Sequence, residues 1–304
     1  MPADSPKPRL DDWSFDTEDG LRIHATRRPE GPILTAFHAG YDRAFVLPDE
    51  KEDLAGFAAC LALNHDPAYT RLAGHYGPFC EVCLIAEDLA TGGRIGGANL
   101  IALDHGGLVT ANLNYVYIDP EARGTGRLDD LLAGVRHTIG GLFVGPMLLF
   151  IEQNDPLAMS AAAYAHDSAY TGLDQLDRLR IWARRGARVV DIPYVQPALS
   201  AAQAPDPRLV YSVLGATGTS IPACLLERHL RGFFGISVLK GAALASNEVA
   251  DRQVRDLAAA CAARASIDLL DPTDLLARLR GPADLDRLGN PRPANLRAAL
   301  AGHA

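Results

Sequence analysis

A strand-like pattern runs directly into a helix-like pattern through the four residues "RGTG", and this junction constrains the fold more than any other stretch of the chain. Residues 110–118 ("TANLNYVYI") alternate with the period of two that is typical of a β-strand. After the turn, apolar residues recur with the spacing of an amphipathic helix, at Leu128, Leu131, Leu132, Val135 and Ile139. The order strand, glycine turn, helix predicts α/β structure here.

The two faces of this predicted strand carry different side chains. Alternation places Ala111, Leu113, Tyr115 and Tyr117 on one face and Asn112, Asn114, Val116 and Ile118 on the other. Asn112 and Asn114 are either groups that orient an amine or a water in a site, or exposed polar positions. The continuous apolar run at 147–152 predicts another strand, buried on both faces.

Strand and helix patterns alternate through the first two thirds of the chain. Further strands are predicted at 33–47, 79–88, 94–103, 187–199 and 208–215, and helices at 49–63 and 173–186. Beyond about residue 220 the pattern is helical, at 222–235 and 248–265. These patterns predict a mixed α/β protein with a helical C-terminal extension.

Three segments follow from these patterns. Residues 1–32 are predicted to be a lead-in with one strand at 21–25, residues 33–220 one mixed α/β domain, and residues 221–304 the extension. The first helix of the extension carries an apolar stripe of Leu225, Leu226, Leu230, Phe233 and Phe234. Because so large a patch is not left in water, we expect it to pack on the α/β domain or, failing that, to form a homodimer interface.

Charge and composition narrow the function classes. The chain has 29 Lys and Arg against 37 Asp and Glu, a net charge of -8. That balance works against nonspecific binding to nucleic acid or to an anionic membrane. The N-terminus has no signal-peptide pattern, and no run reaches the roughly 20 apolar residues that span a bilayer. We therefore expect a cytoplasmic protein.

The five cysteines do not suggest a disulfide framework, and their odd number leaves at least one unpaired. Cys80 and Cys83 form a close pair in "CEVC", but no second CxxC or HxxxH accompanies it. Both lie in a strand-like run, which favours buried thiols over metal ligands. No metal site is predicted.

The stretch around "RGTG" resembles the GNAT superfamily, the GCN5-related N-acetyltransferases. Their acetyl-CoA signature is an Arg or Gln, two residues, a Gly, one residue, and a Gly or Ala. Arg123 and Gly126 match its first two fixed positions, whereas Leu128 stands at the third. A later helix of the family ends in a segment of the type Tyr-x-x-x-Gly-Phe. Here Gly186 matches the glycine, with Trp182 in place of the usual tyrosine and Ala187 in place of the phenylalanine. The resemblance covers about residues 33–220 and implies a central mixed sheet flanked by helices.

The resemblance also implies how acetyl-CoA, or another acyl-CoA, binds as co-substrate. The pyrophosphate would lie against the backbone N–H groups of Arg123, Gly124, Thr125, Gly126, Arg127 and Leu128. The Arg123 and Arg127 side chains would add charge, and the strand edge at Tyr117 and Ile118 would pair with the pantetheine amides. Asn154 is either near the pantetheine arm or part of a turn and helix cap. The strands at 111–118 and 147–152 are expected to be parallel neighbours that diverge.

In this family a neutral amine attacks the acetyl carbonyl directly, which requires a base, oxyanion donors and an acid. Glu152 is the candidate base, the alternative being a glutamate that faces solvent, and Asn112 is a second candidate catalytic group. Trp182 cannot act as the acid, so Tyr164, Tyr170 or a water replaces it, or the thiolate leaves unaided. Trp182 is then a core aromatic.

The resemblance predicts an acyltransferase that moves an acetyl or related acyl group from acyl-CoA to a primary amine. A small-molecule acceptor is favoured because no basic surface or tail suggests a nucleic-acid-bound target. Leu128 and Trp182 leave open a catalytically silent acyl-CoA-binding module, and the same fold also allows an acyl-CoA decarboxylase.

Overall fold

A computed structural model describes residues 10–45, 51–199, 203–289 and 291–302. The strands within these residues are β1 (Asp12–Asp16), β2 (Leu21–Thr26), β3 (Phe79–Asp88), β4 (Arg94–Asp104), β5 (Val109–Ile118), β6 (Met147–Asn154), β7 (Arg188–Val190), β8 (Leu209–Leu214), β9 (Ser220–Pro222) and β10 (Ser266–Leu270). The helices are α1 (Pro32–Ala44), α2 (Leu54–Ala62), α3 (Ala68–Tyr76), α4 (Arg127–Leu142), α5 (Ala161–Thr171), α6 (Gln175–Ala183), α7 (Ala223–Phe233), α8 (Glu248–Ala262), α9 (Thr273–Arg278), α10 (Pro282–Leu285) and α11 (Leu296–Ala301).

The strands form one mixed sheet in the order β1-β2-β3-β4-β5-β6-β8-β7-β10-β9. Neighbours run antiparallel except β5 and β6, which are parallel. On one face the apolar side chains of α4 pack on the sheet, and on the other face those of α1 and α7 do so. The predicted fold class, a central mixed sheet flanked by helices with a helical C-terminal part, is confirmed.

β5 and β6 diverge at their C-terminal ends, as the sequence predicts. Their pairing runs from Val109 opposite Met147 to Leu113 opposite Ile151 and stops there. The remaining residues of β5 continue beside β4, while those of β6 pair with β8 on the other side. A gap therefore opens in the middle of the sheet, where an extended ligand can reach backbone groups of β5.

A β-bulge changes which side chains of β5 share a face. Asn99 of β4 pairs with Tyr115, but the next residue of β4 pairs with Leu113, so Asn114 is the extra residue. Such a bulge shifts the alternation by one residue. Ala111 and Leu113 therefore share the α4 face with Val116 and Ile118, whereas Tyr115 and Tyr117 pack on the α1 side. The predicted grouping of Tyr115 and Tyr117 with Ala111 and Leu113 is wrong.

Two predicted strands differ from the structure. Residues 33–44 form helix α1 instead of a strand, with Pro32 at its start and Leu34, Phe37 and Tyr41 buried at helical spacing. Phe45 caps this helix, and residues 46 and 47 of that prediction lie outside the described residues. The 187–199 strand shrinks to β7, because Pro193 and Pro197 lack the N–H donors that a sheet requires. Strands β3 and β6 cover 79–88 and 147–154, close to their predicted bounds.

The sheet extends across both predicted domain boundaries. β1 and β2 continue it beyond β3 at the N-terminal side, and β10, from the C-terminal extension, pairs with β7. The stripe of α7 is buried in the same core as Phe150 of β6, with Leu226, Leu230 and Phe234 at 0% exposure. The expected packing of this stripe is confirmed, so its side chains are unavailable for a homodimer interface.

Cys60, Cys80 and Cys83 are buried thiols that take part in no disulfide, and burial was expected for the "CEVC" pair. Cys224 and Cys261 form a disulfide that joins the start of α7 to the end of α8. Sequence spacing did not single out this pair, because residues 37 positions apart meet only when the two helices pack.

Candidate active site

The divergence of β5 and β6 opens into a cleft. The pairing between β5 and β6 ends at Leu113 and Ile151. Asn114 and Tyr115 come next on β5 and Glu152 comes next on β6, and all three line the cleft. Its empty volume is about 380 Å³, including space open to solvent. The lining residues are Glu52, Phe57, Cys60, Glu81, Asn99, Asn114, Tyr115, Glu152, Gln196, Leu199, Phe233, Ser237 and Val238.

Glu81, the third residue of β3, places a buried carboxylate in the cleft wall. Its side chain is 1% exposed. Ser237 Oγ donates to Glu81 Oε2 at 2.8 Å, and the Nδ2 atoms of Asn99 and Asn114 donate to Oε1 at 3.1 and 3.2 Å. Burial raises the pKa of Glu81 to about 7, although these donors favour the ionised form. The group is thus poised to exchange a proton near neutral pH.

Glu152 brings a second carboxylate to the cleft, from the diverging end of β6. It is half-buried, and the Tyr194 hydroxyl donates a hydrogen bond to its Oε1 atom. Burial raises the pKa of Glu152 to about 7, against the hydrogen bond from Tyr194, which lowers it. Glu152 therefore lies where a base has been predicted, and its catalytic role stays a prediction.

Asn112 lies behind the cleft. It is fully buried, and its Nδ2 donates to Asn114 Oδ1 at 2.9 Å. The Tyr211 hydroxyl donates to Asn112 Oδ1 at 2.7 Å and lies 2.7 Å from Nε2 of the buried His229. Asn114 in turn donates to Glu81, so in this series of hydrogen bonds each side-chain amide donates towards the Glu81 carboxylate. Asn112 is thus in contact with a cleft residue rather than with the cleft.

The "RGTG" turn lies at the exposed start of α4. Gly124 and Gly126 have φ values of 76° and 85°, which only glycine adopts readily. Within the described residues no side chain caps α4, and the Asp129 N–H donates to the Gly126 oxygen at 2.9 Å. The N–H groups of Arg127 and Leu128, which have no acceptor within a helix, are left for another group. A Cβ at either glycine would meet open space. This local geometry suits an anion at the positive end of the helix dipole.

The two arginines of the turn have different surroundings. Arg123 is exposed, and it donates to the backbone oxygens of Ile118 at 3.2 Å and Thr171 at 3.3 Å, which ties α5 to the turn. Arg127 forms an ion pair with Asp88 at the end of β3. The Arg127 side chain therefore joins α4 to the sheet in this structure.

The other predicted ligand contacts are spread along β5, α4 and β6. The buried Tyr117 hydroxyl donates to a backbone oxygen of α1, which leaves only its backbone for a ligand. Ile118 and Leu128 are partly buried against the α4 side of the core. Asn154 donates to the buried Asp167 of α5 at 2.7 Å. Their predicted contacts with acyl-CoA stay predictions.

The aromatic candidates for the acid lie away from the cleft. Trp182 is buried in the core beside α4, in agreement with its reading as a core aromatic. Tyr164 donates its hydroxyl to Asp174 at 2.7 Å, and Tyr170 is 58% exposed on α5. Neither is among the lining residues, whereas Tyr115 is. Tyr115 is partly buried, and burial raises its pKa well above the usual value.

Sequence reasoning missed Glu81. The signal was present in the sequence, because Glu81 is the only charged residue in the apolar part of this strand, "FCEVCLIA". A glutamate in such a position is rarely buried without a partner or a function. Ser237 and Glu52 carried no comparable signal, since they reach the cleft only through the packing of the C-terminal extension and α2.

Comparison with known proteins finds no matching family model and no matching curated protein. Solved structures do match. A protein from Desulfovibrio desulfuricans described as a GNAT-family acetyltransferase is 18% identical, with 64% of this chain and 98% of that chain covered and a TM-score of 0.38. The ribosomal-protein-S18-alanine N-acetyltransferase of Escherichia coli is 14% identical, covering 65% and 96%, with a TM-score of 0.35.

A third structure is a GNAT family acetyltransferase from Elizabethkingia anophelis with acetyl-CoA bound, 12% identical, covering 66% of this chain and 100% of that chain, with a TM-score of 0.32. These proteins are of the family that the "RGTG" stretch resembles. All three TM-scores lie below 0.5, so the proposals below depend on the residues of this chain. No helix among the described residues is long and apolar enough to cross a membrane.

Proposed function

We propose that this protein is a GNAT-type acyltransferase that transfers an acetyl or related acyl group from acyl-CoA to the primary amine of a small molecule. One observation carries the proposal. Two carboxylates whose pKa values lie near 7, Glu81 and Glu152, line a single cleft at the divergence of two parallel strands. Such groups suit a reaction that must remove a proton from an amine.

The binding of acyl-CoA is supported by two features on the same path. The turn from Gly124 to Leu128 offers backbone N–H groups and a helix dipole to a pyrophosphate, whereas the Arg123 N–H donates to the Pro120 oxygen at 3.3 Å. From there, the unpaired part of β5 offers backbone groups to the amides of the pantetheine arm. The thioester would then enter the cleft beside Asn114 and Tyr115.

The reaction follows from the charges in the cleft. A free amine with a pKa near 10 arrives as an ammonium ion, and a carboxylate accepts its proton. The neutral nitrogen attacks the thioester carbonyl, the C–N bond forms, and the C–S bond breaks. The thiolate takes up a proton and leaves as CoA, while the new amide loses its second proton. Glu81 and Glu152 are the candidate bases, and Asn112 positions Asn114 and through it Glu81.

The cleft favours a small cationic acceptor. Glu52, Glu81 and Glu152 line it, and of these Glu52 is paired with Lys240 at 2.7 Å. Phe57 and Phe233 supply apolar walls on which the hydrocarbon part of an amine can pack.

Steady-state release of CoA thiol from acetyl-CoA over a panel of small amines tests the proposal. We expect kcat/KM of the wild type to rise with pH through about 7, because the base acts as a carboxylate. If the replaced residue is the base, Glu81→Gln or Glu152→Gln should lower kcat/KM by about 10²- to 10⁴-fold. Glu30→Gln, at an exposed position, is the matched control and should keep wild-type activity.

Two outcomes would overturn the proposal. Calorimetric binding of CoA without turnover of any amine would indicate a silent acyl-CoA-binding module. Release of carbon dioxide from malonyl-CoA in the absence of an amine would indicate a decarboxylase.

A further inference from the structure

A second cavity lies outside the candidate active site, between α3, α7 and the loop that follows residue 240. Its empty volume is about 640 Å³, including space open to solvent. Arg71 and His75 of α3 line it from one side and Arg231 of α7 from the other, with Tyr76 between them. None of its lining residues is a carboxylate.

The cations of this cavity keep unused hydrogen-bond donors. Arg231 uses Nε, at 2.6 Å, and Nη2 to bind Oε1 of Glu227, its neighbour on α7; Glu227 is buried, whereas the Arg231 side chain stays partly exposed. Arg71 is exposed, and its Nη1 lies 3.5 Å from the Gly241 oxygen. Guanidinium groups present their donors as planar forks that match the oxygens of a carboxylate or phosphate. Although the chain has a net charge of -8, Arg71 and Arg231 line the same cavity. Two guanidinium groups at one cavity favour the binding of an anion there.

The cavity shares a structural element with the active-site cleft. Tyr76 packs against Gly235, where an added Cβ would lie 2.4 Å from the tyrosine hydroxyl. Gly235 belongs to a single π-helical turn, Phe234–Val238, and its oxygen accepts a hydrogen bond from the N–H of Gly241 at 2.8 Å. The same turn carries Ser237, which donates to Glu81. Such π-helical turns often occur at functional sites.

We propose that this cavity binds a small oxyanion that carries at least two negative charges, held between Arg71 and Arg231, and that the Phe234–Val238 turn transmits its occupancy to Glu81. The binding step stands without the proposed acyltransferase function, whereas an effect on turnover rests on it. A bound anion joins α3 to α7 and so fixes the position of the turn between them. The Ser237–Glu81 hydrogen bond is then held in one arrangement.

Calorimetric titration of the full-length protein with citrate, inorganic phosphate and acetate tests the binding step. We expect saturable binding of citrate or of phosphate but not of acetate, and which of the two binds distinguishes a carboxylate ligand from a phosphate ligand. Arg71→Gln and Arg231→Lys should weaken that binding at least about tenfold, since each removes one guanidinium fork. Arg228→Gln, on α7 but not lining the cavity, is the control. Equal affinity in all variants, or no saturable binding below about 10 mM, would overturn the proposal.

Hydrogen exchange tests the transmission without any assay of activity. The bound anion should slow amide exchange in the peptide that contains residues 234–240 of the wild type, and Arg71→Gln should remove that slowing. Unchanged exchange on saturation would refute the link to Glu81. Neither the calorimetric titration nor the hydrogen-exchange measurement depends on the proposed acyltransferase function, so both test the anion site even if that function is wrong.

Discussion

Glu81 is a single side chain whose burial links stability to the proposed chemistry. The Glu81 carboxyl is 1% exposed, and the three side chains that donate to it favour its ionised form against the effect of burial. Its pKa of about 7 exceeds the ordinary value of 4.5, so folding favours the protonated form. The same environment that readies Glu81 to take a proton therefore costs stability when the group is charged.

This cost predicts how stability depends on pH. Because the folded pKa of Glu81 is raised, the contribution of this group to the free energy of unfolding is largest below about pH 4.5 and falls by up to about 3 kcal/mol as the pH rises through about 7. Glu81→Gln should flatten the decline, with Glu152 providing what remains. Urea unfolding at pH 5 and pH 8 measures this, and an equally steep decline in Glu81→Gln would contradict it.

At the "RGTG" turn, the backbone decides which substitution is informative. Gly126 has a φ of 85°, so Gly126→Glu would strain the fold as well as repel a phosphate. Thr125 is exposed and is not at a positive φ, so Thr125→Glu adds charge without that strain. We expect CoA to bind at least about tenfold more weakly to Thr125→Glu than to Thr125→Gln, with no loss in melting temperature, because a carboxylate suits a helix start. Equal CoA affinity would show that the turn holds no phosphate.

At the scale of elements, α7 is part of the main core and not an appendage. Its buried residues pack with those of β3, β4 and β6. The helix is strongly amphipathic, and its stripe faces the sheet over the whole length of the element. The wall of the cleft at Phe233 therefore depends on the same packing that holds the sheet together.

Leu230→Ala tests this packing. Leu230 is fully buried, so its truncation should lower the free energy of unfolding by about 2–5 kcal/mol within a single cooperative transition. Val144→Ala, at a residue that is 90% exposed, should change it by less than about 0.5 kcal/mol. A separate early transition for α7 in denaturant, seen as two steps by circular dichroism, would show that the extension folds by itself.

At the scale of the whole molecule, the sheet crosses the boundary predicted at residue 220. A chain that ends at residue 220 would lose β10, the partner of β7, and would expose the apolar surface under α7. We expect such a chain to bind a hydrophobic dye and to unfold without cooperativity, since a patch of this size is not left in water. Cooperative melting within a few degrees of the full chain would instead support an independent 33–220 domain.

Local patterns in the sequence were sufficient for several elements of the site. The alternation of β5, the apolar run of β6 and the helical spacing of α4 depend on neighbours along the chain, so the sequence predicted them in the right order. The position of Glu152 at the end of a buried strand followed from the same patterns. The "RGTG" turn was likewise readable, because positive φ angles require glycine.

Contacts between distant residues decided the rest. The bulge at Asn114 arises from pairing with β4, and it alone moves Tyr115 to the cleft side. Glu81 and Glu152 line the same cleft only because β3 and β6 are assembled in one sheet. Ser237 donates to Glu81 only because α7 packs on that sheet. The sequence thus determined β5, α4 and β6 and their order, whereas the segment of α1 carried a strand-like pattern. The tertiary structure decided which polar groups are buried together, and burial is what sets their pKa.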